Sequence, residues 1–129
     1  MRSHEQAIAF LAKAAEDEAV IDEIINSAKV ADAAVGFHCQ QAAEKLLKAL
    51  LSELKVEFRR TQDLRELSDL LADVGHPLPQ EFDDLDQLTP YGVFLRYEAP
   101  ENPVALDRQG ARNMIARLRK WVETRVPIS

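Results

Sequence analysis

The side chains able to do chemistry concentrate in two short runs of this 129-residue chain. The first is FHCQQAAEKLLKALL, residues 37–51. At about 100° per residue, Cys39, Ala42, Leu46, Ala49 and Leu50 gather on one side of a helix. His38, Gln41, Lys45 and Lys48 follow one another on another side, at offsets of three, four and three. An imidazole, an amide and two ammonium groups on one stripe can receive an anion or a phosphate. The same stripe also matches an ordinary solvated helix face with a boundary histidine. Gln40 and Gln41 are equally suited to hydrogen bonds across a subunit contact. The second run is YGVFLRYEAP, residues 91–100, where Arg96 and Tyr97 set a guanidinium for a carboxylate or phosphate beside a phenol. Alternatively, Arg96 pairs with an acidic neighbour and Tyr97 packs its ring at the core edge. His38, Gln41, Lys45, Arg96 and Tyr97 are therefore the candidate ligand-binding residues. None is assigned a catalytic role.

Other chemistries find no support in the residues. There is no G-x-x-x-x-G-K-[ST] or G-x-G-x-x-G run to cradle a phosphate. His4, His38 and His76 with the single Cys39 show no paired ligand spacing, so neither a metal nor any other cofactor is expected. Asp83, Asp84 and Asp86 lack the glycine turn and terminal glutamate of a calcium loop, and read better as first-turn acids of a helix. Cys39 falls on the apolar stripe and reads as a small core residue.

The elements that must position these groups are helices. Apolar residues make up 47% of the chain but aromatics only 6%, so the core is built from Leu, Ala, Val and Ile, which favours helix on helix. Amphipathic spacing predicts a first helix over about 3–28, with Glu16, Asp17, Asp22 and Glu23 mostly on the wet side, and a second over about 32–54. A third, about 63–74, is capped by Thr61 or Asp63 and ended by Gly75 and Pro77. A fourth, about 80–97, is kinked or broken at Pro90. A fifth, about 106–125, carries a basic face. The fold class is all-α, an up-and-down bundle of about five helices in a single domain spanning 1–129. No run approaches a membrane span and the polar residues 1–6 do not open a signal peptide, so a cytoplasmic location with no membrane partner is expected.

The net charge of −6 hides segregation. Residues 63–86 hold eight acids against Arg65, a local −7, whereas residues 107–125 hold six cations against two acids, a local +4. The basic last helix can follow a nucleic-acid backbone. The lack of interleaved aromatics and the acid-rich remainder favour a docking or solvated face instead, so nucleic acid is the weaker expectation.

The run 37–51, followed by TQDLRELSDLL (61–71) and YGVFLRYEAP, resembles the HEPN family of small all-helical domains (higher eukaryote and prokaryote nucleotide-binding). The resemblance implies a helical bundle, commonly a homodimer. Many prokaryotic relatives are similar to ribonuclease toxins, whose signature is an Arg followed four to six residues later by His. Here Arg2 precedes His4 by two positions, no Arg shortly precedes His38, and no His follows Arg96. Where relatives often read Thr-His-Asp-Leu, this chain has Thr61-Gln62-Asp63-Leu64, and an amide cannot titrate. The resemblance therefore points to the other branch: a non-catalytic, nucleotide-binding protein acting with a minimal nucleotidyltransferase subunit, in a toxin–antitoxin-like or substrate-binding pair. Tyr91 and Tyr97 are the tyrosines such a partner would modify. The alternatives are a ribonuclease with an atypical pair, His38 with Arg96, and a plain dimerising module with Gln40 and Gln41 in the subunit contact.

Overall fold

The computed structural model describes residues 2–94 and 105–127, and these form helices with no strand among them. Helix α1 (Arg2–Ile24) and helix α2 (Asp32–Glu53) pack along most of their length. They run antiparallel, since His4 at the start of α1 bonds Glu53 at the end of α2, at 2.7 Å. Ala7, Leu11, Ala14 and Ile21 of α1 are buried, and the alanines allow close approach. Helix α2 is the axis of the bundle. Its residues from Leu46 to Ser52 are all buried, and α1, α3 (Leu64–Asp73), α4 (Tyr91–Phe94) and α5 (Arg108–Glu123) all pack against the helix at points along its length.

The caps follow their residues. Asp63 opens α3 by accepting from the backbone N–H groups of Arg65 (3.0 Å) and Glu66 (3.4 Å). Gly75, at φ +89°, releases the chain after α3, a conformation that side-chain-bearing residues rarely adopt. Asp107 caps α5 through Gly110 N–H at 2.9 Å. Asp32, in the first turn of α2, instead accepts from the Leu106 N–H (2.9 Å) and Arg108 Nε (2.8 Å), tying the start of α5 to the start of α2.

One expected element is corrected. The helix expected over 80–97 is two 3₁₀ turns, Gln80–Phe82 and Leu85–Leu88, followed after Pro90 by the short α4. Phe82, Leu85 and Leu88 are the buried residues of the two 3₁₀ turns, and a strict spacing of three is the period of a 3₁₀ helix, with three residues per turn. The expected first helix is also shorter than its pattern, ending at Ile24 before a turn. Arg96, Tyr97 and the proline-bearing loop after them lie outside the described residues.

Candidate functional site

Two adjacent carboxylates on α1 organise the bundle's charges. Asp17 and Glu18 are each only 7% exposed, so the wet-side placement expected for Asp17 is corrected. Neighbours on a helix point about 100° apart, and here one carboxylate meets α2 while the other meets α5. Asp17 accepts from Lys45 Nζ on one oxygen and holds His38 Nδ1 on the other at 3.0 Å. Glu18 accepts from Arg119 Nε at 2.8 Å and lies 3.4 Å from Arg112 Nη1.

The stripe on α2 is therefore divided. His38 and Lys45 lean toward α1 and are held by Asp17, while Gln41 and Lys48 face the other way. On that second side lies a cleft of about 520 Å³, lined by Gln41, Glu44, Lys48, Arg60, Thr61 and Gln62. A fully buried glutamine supports it. Gln40 donates to the Gln62 carbonyl (2.9 Å) and to Glu44 Oε1 (3.1 Å), and its own Oε1 accepts from Gln41 Nε2 (2.7 Å). Glu44 in turn accepts from Lys48 Nζ at 2.9 Å, and that ammonium lies 5.7 Å from the centre of the Phe58 ring. Such a chain of bonds locks the rotamers of the cleft's wall. Gln40 reads in the sequence as a candidate for a subunit contact. In the fold it is the internal tie between α2 and the strap that precedes α3.

Glu44 and Lys48 neutralise each other, so the uncompensated charge of the cleft comes from Arg60. Arg60 is exposed and, among the described residues, has no acidic partner. Sequence reasoning did not single out Arg60, Thr61 or Glu44 as site residues. The signal was a basic, aperiodic stretch running straight into the α3 cap, the place where a strap crosses a helix. Helix α4 starts beside this wall. A Cβ at Gly92 would stand 3.1 Å from the Gln40 side chain and 3.3 Å from that of Gln62, so α4 begins against the cleft's supporting amides.

Tyr91 packs its ring against Gly36, and burial, with the negative charge of Asp32 next, pushes its phenol above the ordinary tyrosine value. A raised value makes its phenolate a rarer species than in water. Burial also pushes the Cys39 thiol up to about 12, in keeping with a core residue and not a nucleophile. Among the described residues, no group of three or more His, Cys, Asp or Glu side chains is placed to hold a metal ion. No helix among them is long and apolar enough to cross a membrane.

Half of the basic face of α5, Arg108, Arg112 and Arg119, is spent inside the bundle, which corrects the docking or solvated role expected for those three, whereas Arg117, Lys120 and Arg125 are exposed. Arg108 bonds Asp32 and the carbonyls of Ile25 (3.2 Å) and Ser27 (3.1 Å) at the end of α1. Arg112 grips Asp22 at 2.6 Å, and Arg119 adds the Leu11 carbonyl at 2.9 Å to its Glu18 contacts. Burial and the Arg112 guanidinium act oppositely on Asp22. The guanidinium wins and holds the carboxyl below its usual range. Arg112 and Arg119 staple α5 to the acidic side of α1, Arg108 ties it to Asp32 of α2 and to the turn after α1, and none of the three is free to follow a phosphate backbone.

A family model of the HEPN domain matches residues 2–127, nearly the whole chain. No curated protein and no solved structure matches the chain significantly.

Proposed function

The chain belongs to the HEPN domain family, and from that premise we propose that it is a non-catalytic nucleotide-binding module that works with a minimal nucleotidyltransferase-type partner. The cleft between α2 and residues 60–62 is its ligand site. One observation carries this reading: the cleft holds an uncommitted guanidinium, Arg60, beside the Gln41 amide and the Thr61 hydroxyl, and no imidazole lines it. A phosphate fits a guanidinium fork flanked by neutral donors. Acid–base cleavage of RNA calls for a group that titrates near neutrality, and Gln62 does not titrate. His38 and Lys45, held by Asp17, position α1 against α2 in this reading, while Gln41 and Lys48 touch the ligand. Arg96 and Tyr97 are proposed to complete the site from the segment that follows α4. The pairing itself, as a toxin–antitoxin-like or substrate-binding couple, is the finer part of the proposal.

The test is the melting temperature of the chain with adenine and guanine nucleotides. At a hundredfold excess over Kd, binding adds about 2.7 kcal/mol, which for this size is a rise of about 10 °C. Arg60→Ala should abolish the rise and leave the unliganded melting temperature within about 2 °C, as expected of an exposed side chain. No rise with any nucleotide would refute the site. Failure to co-purify with a co-expressed nucleotidyltransferase encoded beside it would refute the pairing alone.

One observation favours a ribonuclease as second reading. His38 keeps 28% of its side chain exposed and is oriented through Nδ1 by Asp17, the way a general base is held. Cellular RNA left intact on induced expression, or cleavage unaffected by His38→Ala, would remove it.

A further inference from the structure

The basic face that ends the chain stays uncommitted only around Trp121. Arg108, Arg112 and Arg119 are spent inside the bundle, and Arg117 pairs with Glu81 at 3.1 Å. Lys120 and Arg125 remain, both exposed and without an acidic partner among the described residues. The acids close to them in the groove and in the last turn of α5 are taken, Glu81 by Arg117 and Glu123 by Arg119. Arg125 places its guanidinium over the indole of Trp121, 4.3 Å from the ring centre. It is held there, since Nη1 donates to the Thr124 hydroxyl at 2.8 Å and to the Trp121 carbonyl at 3.2 Å. Its Nε and Nη2 have no acceptor among the described residues. Those two donors form the same edge by which Arg59 grips Glu66, at 2.7 Å on each bond. An open carboxylate-binding fork therefore stands over the indole, and beside it Phe82 and Trp121 line a mainly apolar groove of about 450 Å³.

We propose that this groove is a docking site for a short acidic peptide segment of another protein, one that carries an apolar side chain between its carboxylates. The apolar side chain seats against Phe82 and Trp121, while the carboxylates meet the Arg125 fork and the Lys120 ammonium. Tryptophan and arginine are the residues on which binding energy concentrates at interfaces. Because Arg125 is already fixed on the ring, little side-chain freedom is lost when the partner arrives. Nucleic acid fits less well, since backbone binding draws its strength from a track of several phosphate-neutralising cations. Here two are free, and the neighbouring groove that shares Phe82 is rimmed by the exposed acids Asp69 and Asp83. A short acidic segment need not cross that rim. The docking groove has no lining residue in common with the cleft at Arg60, so this inference stands apart from the nucleotide reading.

Trp121 is the chain's single tryptophan, so its fluorescence reports on the groove directly. The probe is a capped peptide of glutamates around a central leucine pair, titrated into the full chain. A saturable change in Trp121 emission is expected, and the affinity should fall at least about fivefold between about 50 and about 500 mM salt, where exposed charges are screened. The same peptide with glutamine in place of glutamate should leave the emission unchanged. Lys120→Glu combined with Arg125→Glu should abolish the response to the acidic peptide and create one to a lysine version of it, a swap that also shows the variant to be folded. Four results would each overturn the proposal: no saturable response in the wild type, equal affinity for the glutamine peptide, an undiminished response in the double variant, or tighter binding of an oligothymidylate than of the acidic peptide.

Discussion

Replacing Arg119 by Met would decide whether the basic face of the last helix is internal structure. Arg119 Nε lies 2.8 Å from Glu18 and its Nη2 lies 2.6 Å from the same carboxylate, with Leu11 O and Glu123 as further acceptors. Met preserves most of the apolar stem and removes every donor. Glu18, only 7% exposed, would then keep a single guanidinium contact, Arg112 at 3.4 Å. Breaking a buried pair costs about 3–5 kcal/mol. Arg119 keeps a fifth of its side chain in solvent and Arg112 remains nearby, so the expected loss is about 2–3 kcal/mol. That is a large share of the roughly 5–15 kcal/mol by which a domain is stable. Urea unfolding followed by helical circular dichroism would register it as a lower midpoint at unchanged slope. In Arg119→Met the companion change Glu18→Gln should be nearly free, because the carboxylate has already lost its main partner. In the wild type the same change should be costly, giving a coupling of at least about 1 kcal/mol. Arg117→Met is the control, because its pair with Glu81 is half-exposed on both sides and is worth at most about 0.5 kcal/mol. An Arg119→Met midpoint indistinguishable from that of Arg117→Met would refute the internal-staple account and return the face to solvent.

Three further expectations follow from packing and charge. A Cβ at Gly36 would stand 2.3 Å from Tyr91 Cδ1, so Gly36→Ala forces the ring and α4 outward. Overpacking of about 1–3 kcal/mol outweighs a helix-propensity gain of about 1 kcal/mol, and the loss should vanish in a Tyr91→Ala background if that contact is its cause. Asp32 is held below the usual carboxylate range by the Leu106 N–H and Arg108, Asp22 by Arg112 and Glu66 by Arg59. Depressed folded values mean that the unfolded chain binds protons first, so stability should be flat above about pH 5 and fall as pH drops through those values. Urea midpoints against pH should show that fall, shallower in Asp32→Asn; a midpoint unchanged down to pH 3 would contradict it. With its thiol pushed up to about 12, Cys39 should react with a thiol reagent at pH 8 at least about a thousandfold more slowly than a free cysteine. Labelling at the rate of the denatured chain would contradict its burial.

The helices α1, α2, α3 and α5 were legible because each carries a stripe at helical spacing and punctuation that acts locally. Asp63, Gly75 and Asp107 shape the backbone within a few residues, so their effect needs no distant partner. The 80–97 segment was misread because residues spaced by three satisfy an α-helical stripe as readily as a 3₁₀ turn when only a few of them are present. At the candidate site, the helical wheel placed His38, Gln41, Lys45 and Lys48 on one stripe. It carried no information on which neighbour each would meet.

Family, fold class and the lack of an Arg-to-His pair at ribonuclease spacing are therefore properties of the sequence alone, since they depend on residue order and short-range spacing. The division of the α2 stripe between Asp17 and the cleft, the sinking of Asp17 and Glu18 between helices, and the consumption of α5's arginines were decided by the tertiary structure. The physical reason is that a charge's fate depends on what lies opposite it. Arg119 and Glu18 are 101 residues apart in the chain and 2.6 Å apart in the fold.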